Sequence, residues 1–216
     1  MDSELMHYIK ELKQSFRQMM DGAVSKSMRD KGSAYKLNWG ATIPRLQAKA
    51  EEIKSTLNVR SSTFNVYDLA IALWKEDVRE CKILATMIMP PDEVLPEVID
   101  IWMEQTTSQE IAEQAAFNLY QYLSYAPEKA YTWMASDKPL YQLCGFHILS
   151  RLFMNKQEPN ERGINEFIDQ ALVALQGDSL MVRKAAMSAV QRFAELGLVY
   201  ERIAKSALKR ANLDFL

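Results

Sequence analysis

Any bond-breaking chemistry in this 216-residue chain has to rest on carboxylates. Its only histidines, His7 and His147, lie far apart and without a matching Ser or Cys arrangement, so they do not suggest a base for nucleophilic acyl transfer. No His-x-x-x-His pair or Asp-rich ligand set occurs, nor does a phosphate-cradling Gly-rich loop, a nucleophile elbow or a kinase signature. Cys81 and Cys144 belong to no Cys-x-x-Cys or Cys/His cluster and read as buried thiols. Neither metal nor cofactor is expected. Glu110 and Glu113, three residues apart, share one face of a helix and could do electrostatic or acid-base work, although solvated pairs of this kind are common.

Charge is distributed unevenly around a net value of -2. Residues 22–62 carry eight Lys/Arg against three Asp/Glu, residues 63–140 five against thirteen, and residues 178–216 seven against four. Both ends are basic and the middle is acidic. A sequence pI of 5.8 is low for a dedicated nucleic-acid binder. Asp92, Glu93, Glu97, Asp100 and Glu104 fall mostly on one side of a helix, which predicts a solvated outer face.

The elements that position these groups are helices. Only seven glycines and seven prolines occur, and apolar residues recur at helical spacing, so the chain reads as all-α with no convincing strand. A first helix runs from Ser3 to near Gly22 and a second from about Ala23 to Arg29. The pattern breaks over 31–40, and Thr42 with Pro44 starts a helix reaching about Leu57. Shorter helices follow over Val66–Trp74, Val78–Met89, Pro91–Gln105, Ser108–Leu123, Pro127–Ala135, Pro139–Met154, Arg162–Leu175, Leu180–Leu196 and Val199–Ala211. Prolines 91, 127 and 139 are placed at helix starts, where a missing N–H is not felt. The longest apolar run, Ile83 to Pro91, is far short of the roughly 20 residues that span a bilayer, and the N-terminus has no leader pattern. A cytoplasmic protein without a membrane span is expected.

Asp178 to Ala186 combines an acidic start, a Val-Arg step and small residues, and Glu76 to Lys82 echoes it. Asp137 to Gly145 keeps the Asp, a Pro and small residues but has Tyr-Gln in place of Val-Arg. Arg79, Ala112, Gln142 and Arg183 then occupy matching places at spacings of about 33, 30 and 41 residues, as helical-hairpin repeats require. One repeat domain over 1–216 is expected, with capping helices and a loop over 1–60 and an array over 63–216. In such repeats the Arg either ties to the acid of a neighbouring turn or contacts a ligand. Trp39, Trp74, Trp102 and Trp133 similarly read as packing residues or as base-stacking groups, and only Trp39 lies in a polar loop.

Three runs, in order, resemble the AlkD-type DNA alkylation-repair family. Lys36 to Ala50 is similar to its N-terminal Gly followed by Ile/Val-Pro and Ala-Lys; Leu73 to Ala85 to its Leu-Trp turn and Glu-x-Arg helix; Lys184 to Val190 to its late Lys-Ala helix. The resemblance covers about residues 36–210. It implies HEAT-like helical hairpins stacked in a curved α-solenoid that grips duplex DNA, and metal-free release of alkylated purines assisted by a carboxylate near the developing sugar cation. By the same resemblance the catalytic carboxylate is Glu113, while the family's Trp, Arg and second Trp positions hold Gln109, Cys144 and Ser188.

Two readings follow. One is a DNA-binding protein related to alkylation repair, with altered or lost glycosylase activity, contacting the duplex through Lys36, Trp39, Arg45, Lys49, Arg183, Lys184 and Arg192. The alternative is a catalytically inactive helical scaffold that binds a protein partner, which the acidic pI and missing aromatics favour.

Overall fold

The computed structural model describes residues 3–30, 35–59 and 63–213. Residues 31–34, the first part of the expected break, lie outside the described residues. The helices gather into two compact units, Met1–Ala115 and Ala116–Leu216.

The first unit holds α1 (Ser3–Gln18), α2 (Gly22–Asp30), α3 (Ile43–Val59), α4 (Val66–Trp74), α5 (Arg79–Ile88), α6 (Pro96–Glu104) and the start of α7 (Gln109–Asn118). Leu5, Ile9, Leu12 and Phe16 line one face of α1, and Leu46, Ala50, Ile53 and Leu57 one face of α3; both rows are buried at helical spacing. Each such Leu, Ile or Phe contributes about 1.5–3 kcal/mol relative to exposure. Helix α5 is buried on nearly every side, from Cys81 through Ile88, and packs against α3 and α4. Burial on so many sides places α5 inside the core of the first unit, and its polar residues there need partners.

The second unit holds a 3₁₀ turn (Tyr120–Tyr122), α8 (Ala126–Met134), α9 (Pro139–Met154), α10 (Glu161–Gln176), α11 (Leu180–Ala194) and α12 (Leu198–Arg210). At its centre α9 packs on α8 and α11. Small residues make this possible: Ala185, Ala186 and Ala189 of α11 are buried, and Gly145 of α9 brings the two backbones so close that a Cβ there would meet Met134 N at 2.5 Å and Ala130 O at 2.6 Å. Phe153, Phe167, Phe193 and Tyr200 form an aromatic cluster beside them.

Three expectations need correction. The sixth helix opens at Pro96 rather than Pro91, because Pro96 inside a longer helix would lose an N–H bond and press its ring on the carbonyl of residue 92. The helix expected over Ser108–Leu123 ends at Asn118 and gives way to the 3₁₀ turn. The Arg positions are also out of register. Arg79 is the first residue of α5, whereas Arg183 is the fourth of α11; Arg79 is buried and Arg183 is exposed.

Candidate nucleic-acid interface

Residues 35–41, which include the rest of the break, are fixed by contacts with the start of α5 and with the start of α2. Leu37 pairs with Val78: the Leu37 N–H donates to Asp77 O at 3.3 Å and the Arg79 N–H to Leu37 O at 3.1 Å. Since Val78 offers no side-chain cap, the Leu37 carbonyl satisfies one of the donors that the first turn of α5 leaves open. On the other side the Asp21 N–H donates to Trp39 O at 2.9 Å and Ser25 Oγ to Asn38 O at 2.6 Å. Gly40 has φ +75°, and a Cβ on it would meet Asp21 O at 2.5 Å, so both conformation and space demand glycine there.

A buried charge cluster locks the same loop to α5 and α7. Arg79, 1% exposed, donates through Nε and Nη2 to both oxygens of Glu110 at 2.8 and 2.6 Å, and through Nη1 to Ala41 O at 2.8 Å. Glu80, fully buried, accepts at Oε1 from the Trp39 N–H at 3.1 Å, the Ala41 N–H at 3.2 Å and Arg79 Nη1 at 3.3 Å. Burial alone would lower the Arg79 pKa, but hydrogen bonding and charge from Glu110, aided by Glu80, raise it above the ordinary arginine value. The Tyr35 hydroxyl is hydrogen-bonded to Ser108 Oγ, which in turn accepts the Ile111 N–H at 3.3 Å and caps α7. Burial pushes the Tyr35 pKa up to about 12. Arg79 therefore has the structural role read from the repeat pattern, and Glu110 is its partner rather than a member of a carboxylate pair with Glu113.

Lys36 is exposed on the loop and forms no ion pair among the described residues. Trp39 is half-buried, its ring tilted against Phe16 at 6.1 Å. Arg45 and Lys49 share one side of α3, with Arg45 donating to Met19 O at 3.2 Å and Lys49 paired with Glu52 at 2.7 Å. On α7 the Gln109 amide donates to Glu113 Oε1 at 2.7 Å, so the altered Trp position touches the retained carboxylate.

In the second unit Arg183 and Lys184 are exposed near the start of α11, and neither forms an ion pair among the described residues. The tie to an acidic neighbour considered for Arg183 is not made. Arg192 lies half a turn away from Arg183 around α11 at 100° per residue, and it pairs with Glu195 at 2.7 Å. Ser188 Oγ meets Ser150 Oγ of α9 at 3.4 Å. Cys144 is fully buried, and burial raises its thiol pKa; burial likewise pushes Cys81 up to about 12. Both are inert buried thiols, as read from the sequence. Cys144 leaves the family's Arg position without a cation, and α9 carries Arg151 two turns later, its guanidinium 4.2 Å from the centroid of the Phe117 ring. His147 meets the same ring edge-on at 5.0 Å. The i, i+4 spacing of His147 and Arg151 was available in the sequence, but their aromatic partner comes from another element.

Trp74, Trp102 and Trp133 are buried packing residues, and Asp92, Glu93, Glu97, Asp100 and Glu104 are all exposed. Among the described residues no group of His, Cys, Asp or Glu side chains is placed to hold a metal ion, and no helix is long and apolar enough to cross a membrane.

Helical hairpins packed in this way, with a buried Arg tying one pair to the next, make this an all-α protein of the HEAT-like repeat class. Residues 12–192 match the family described as DNA alkylation repair enzyme, and the chain belongs to that family. The fold is similar to a solved structure of a new family of proteins related to the HEAT-like repeat DNA glycosylases with affinity for branched DNA structures. That likeness has a TM-score of 0.79 at 16% identity and covers 94% of this chain and 82% of the other. A comparison with curated proteins finds no match.

Proposed function

We propose that this protein binds the phosphate backbone of DNA in a repair setting and recognises damaged or branched structure, with base-release chemistry weakened or lost. The observation that carries the reading is the set of exposed, unneutralised cations, Lys36 on the clamped loop and Arg183 with Lys184 on α11, in a chain of the DNA alkylation repair family. Lysine and arginine that are free of acidic partners can neutralise DNA phosphates and so displace the counterions condensed on the duplex. Lys49 and Arg192, paired with Glu52 and Glu195, must first give up those exposed pairs, a small cost of about 0–1 kcal/mol each. The solved protein of similar fold has affinity for branched DNA, which makes a four-way junction the first ligand to compare with a plain duplex.

Affinity for an oligonucleotide duplex is expected to fall steeply between low and physiological salt. Changing Arg183 and Lys184 together to Ala should flatten the slope of log affinity against log salt by about one to two units. Binding that is undetectable or indifferent to salt would instead favour the protein scaffold.

Glu113 is the carboxylate that could support release of an alkylated purine, by stabilising positive charge on the sugar. Gln109 and Ser188 offer no aromatic face, forfeiting stacking of about 1–3 kcal/mol per base, so release from alkylated duplex should be slow. Glu113→Gln is expected to abolish whatever release the wild type shows. Equal release by the two proteins would remove Glu113 from the mechanism.

A further inference from the structure

We propose that Arg151, whose guanidinium lies over the Phe117 ring in the second unit, is a clamp for a phosphate oxyanion, in addition to the exposed cations above. The guanidinium carbon lies 4.2 Å from the Phe117 ring centroid, and His147 supports the ring edge-on at 5.0 Å and 78°. Nearby, the Gln121 side-chain amide donates to the Phe117 carbonyl and Gln121 Oε1 accepts from Asn155 Nδ2 at 3.4 Å, which ties the end of α7 to the end of α9. The ring under the guanidinium and the imidazole against the ring narrow the positions that Arg151 can take.

What the guanidinium lacks is an acid. Among the described residues Arg151 forms no ion pair, and its only polar contact is Met154 Sδ at 3.7 Å. Arg192 and Lys205 in the same unit have Glu195 and Glu201 at 2.7 Å, and Arg79 in the first unit has Glu110 in a two-pronged pair. Arg151 and Phe117 are both partly exposed, so the fork of N–H donors is reachable from solvent. A stacked guanidinium presents its donors edge-on in one plane, which suits two oxygens of a phosphate. Because the proposed function supplies phosphodiesters, and on that reading, the occupant is a backbone phosphate of DNA; a free phosphate or mononucleotide would use the same chemistry.

The test is equilibrium binding of the full chain to a labelled duplex and a labelled four-way junction over a salt series, with Arg151→Ala, Arg151→Lys and Phe117→Leu beside wild type and the Arg183/Lys184 double variant. Arg151→Ala should weaken binding roughly tenfold at low salt, the scale of a lost bond to a charged group, and flatten the salt slope by about one unit. Phe117→Leu keeps the charge and should weaken binding roughly threefold with the slope unchanged. Arg151→Lys should keep the slope and lose affinity, and it stands in for Arg151→Ala should thermal unfolding show that variant to be misfolded. If wild type and the double variant behave as DNA binders while Arg151→Ala matches wild type within twofold, the clamp is overturned and the DNA reading survives. Full affinity in Phe117→Leu overturns the stacked geometry. If wild type binds neither DNA, inorganic phosphate and adenosine monophosphate are titrated against the Arg151 Nε–H resonance, assigned by its loss in Arg151→Lys: a saturable shift that weakens in Phe117→Leu establishes a free-phosphate site and removes the DNA reading, and no shift overturns the clamp as well.

Discussion

Arg79→Met is expected to lower the unfolding free energy by about 3–5 kcal/mol, the scale for removing one partner from a buried charge cluster. The arginine is 1% exposed, so methionine restores much of the lost volume and the effect isolates the charge. Three groups lose a donor together: the Glu110 carboxylate at both oxygens, the Ala41 carbonyl, and Glu80 Oε1, which keeps only the Trp39 and Ala41 N–H groups. Glu80 is the costliest of them, since it is fully buried and its Oε2 already has no hydrogen-bond partner among the described residues. Equilibrium denaturation in urea measures the loss, and a change under 1 kcal/mol would show that the cluster is not coupled. Adding Glu80→Gln and Glu110→Gln to Arg79→Met should recover part of it, because no charge is then left buried alone.

Gly145→Ala is expected to cost about 3 kcal/mol, at the upper end of overpacking, even though alanine favours helix by about 1 kcal/mol. The new methyl would sit 2.5 Å from Met134 N and 2.6 Å from Ala130 O, and both are backbone atoms of α8. No rotamer change can relieve such a contact; α8 has to move as a body. Gly177→Ala is the control, since a Cβ there finds nothing nearer than Ala174 O at 3.4 Å and its backbone is extended at φ -74°. Thermal unfolding of the two variants separates the cases, and a similar loss in both would mean that glycine at 145 is not a packing requirement.

The helices were legible because their apolar residues repeat with a period that one-dimensional reading can see, and Val66–Trp74 and Pro139–Met154 were placed to the residue. Pro91 misled because proline marks a place where a helix can start without saying which of two prolines is used. Buried thiols and close helix packing were also legible, from composition and small residues. The charge cluster was only half legible. Arg79 stood out by its repeat position, but its partner Glu110 had been grouped with Glu113 on helix spacing alone, and only the fold shows that a side chain 31 residues away takes it. Arg151 was invisible for the same reason, since the ring beneath it belongs to a different helix. Identical Val-Arg steps at 78–79 and 182–183 end in opposite environments because one begins its helix and the other lies a turn inside it.

Trp74 and Trp102 lie almost parallel, 4.2 Å apart at 4°, with the Trp74 indole N–H donating to Gln105 at 2.8 Å and the Lys82 ammonium 4.6 Å above its ring. Their electronic transitions must couple at that separation, giving the first unit an optical signature in the near ultraviolet. Trp39 belongs to the same unit and only Trp133 to the other, so indole emission reports mainly on residues 1–115 while the far-ultraviolet signal counts helix throughout. Disagreement between the two signals during unfolding would reveal that the units open one before the other.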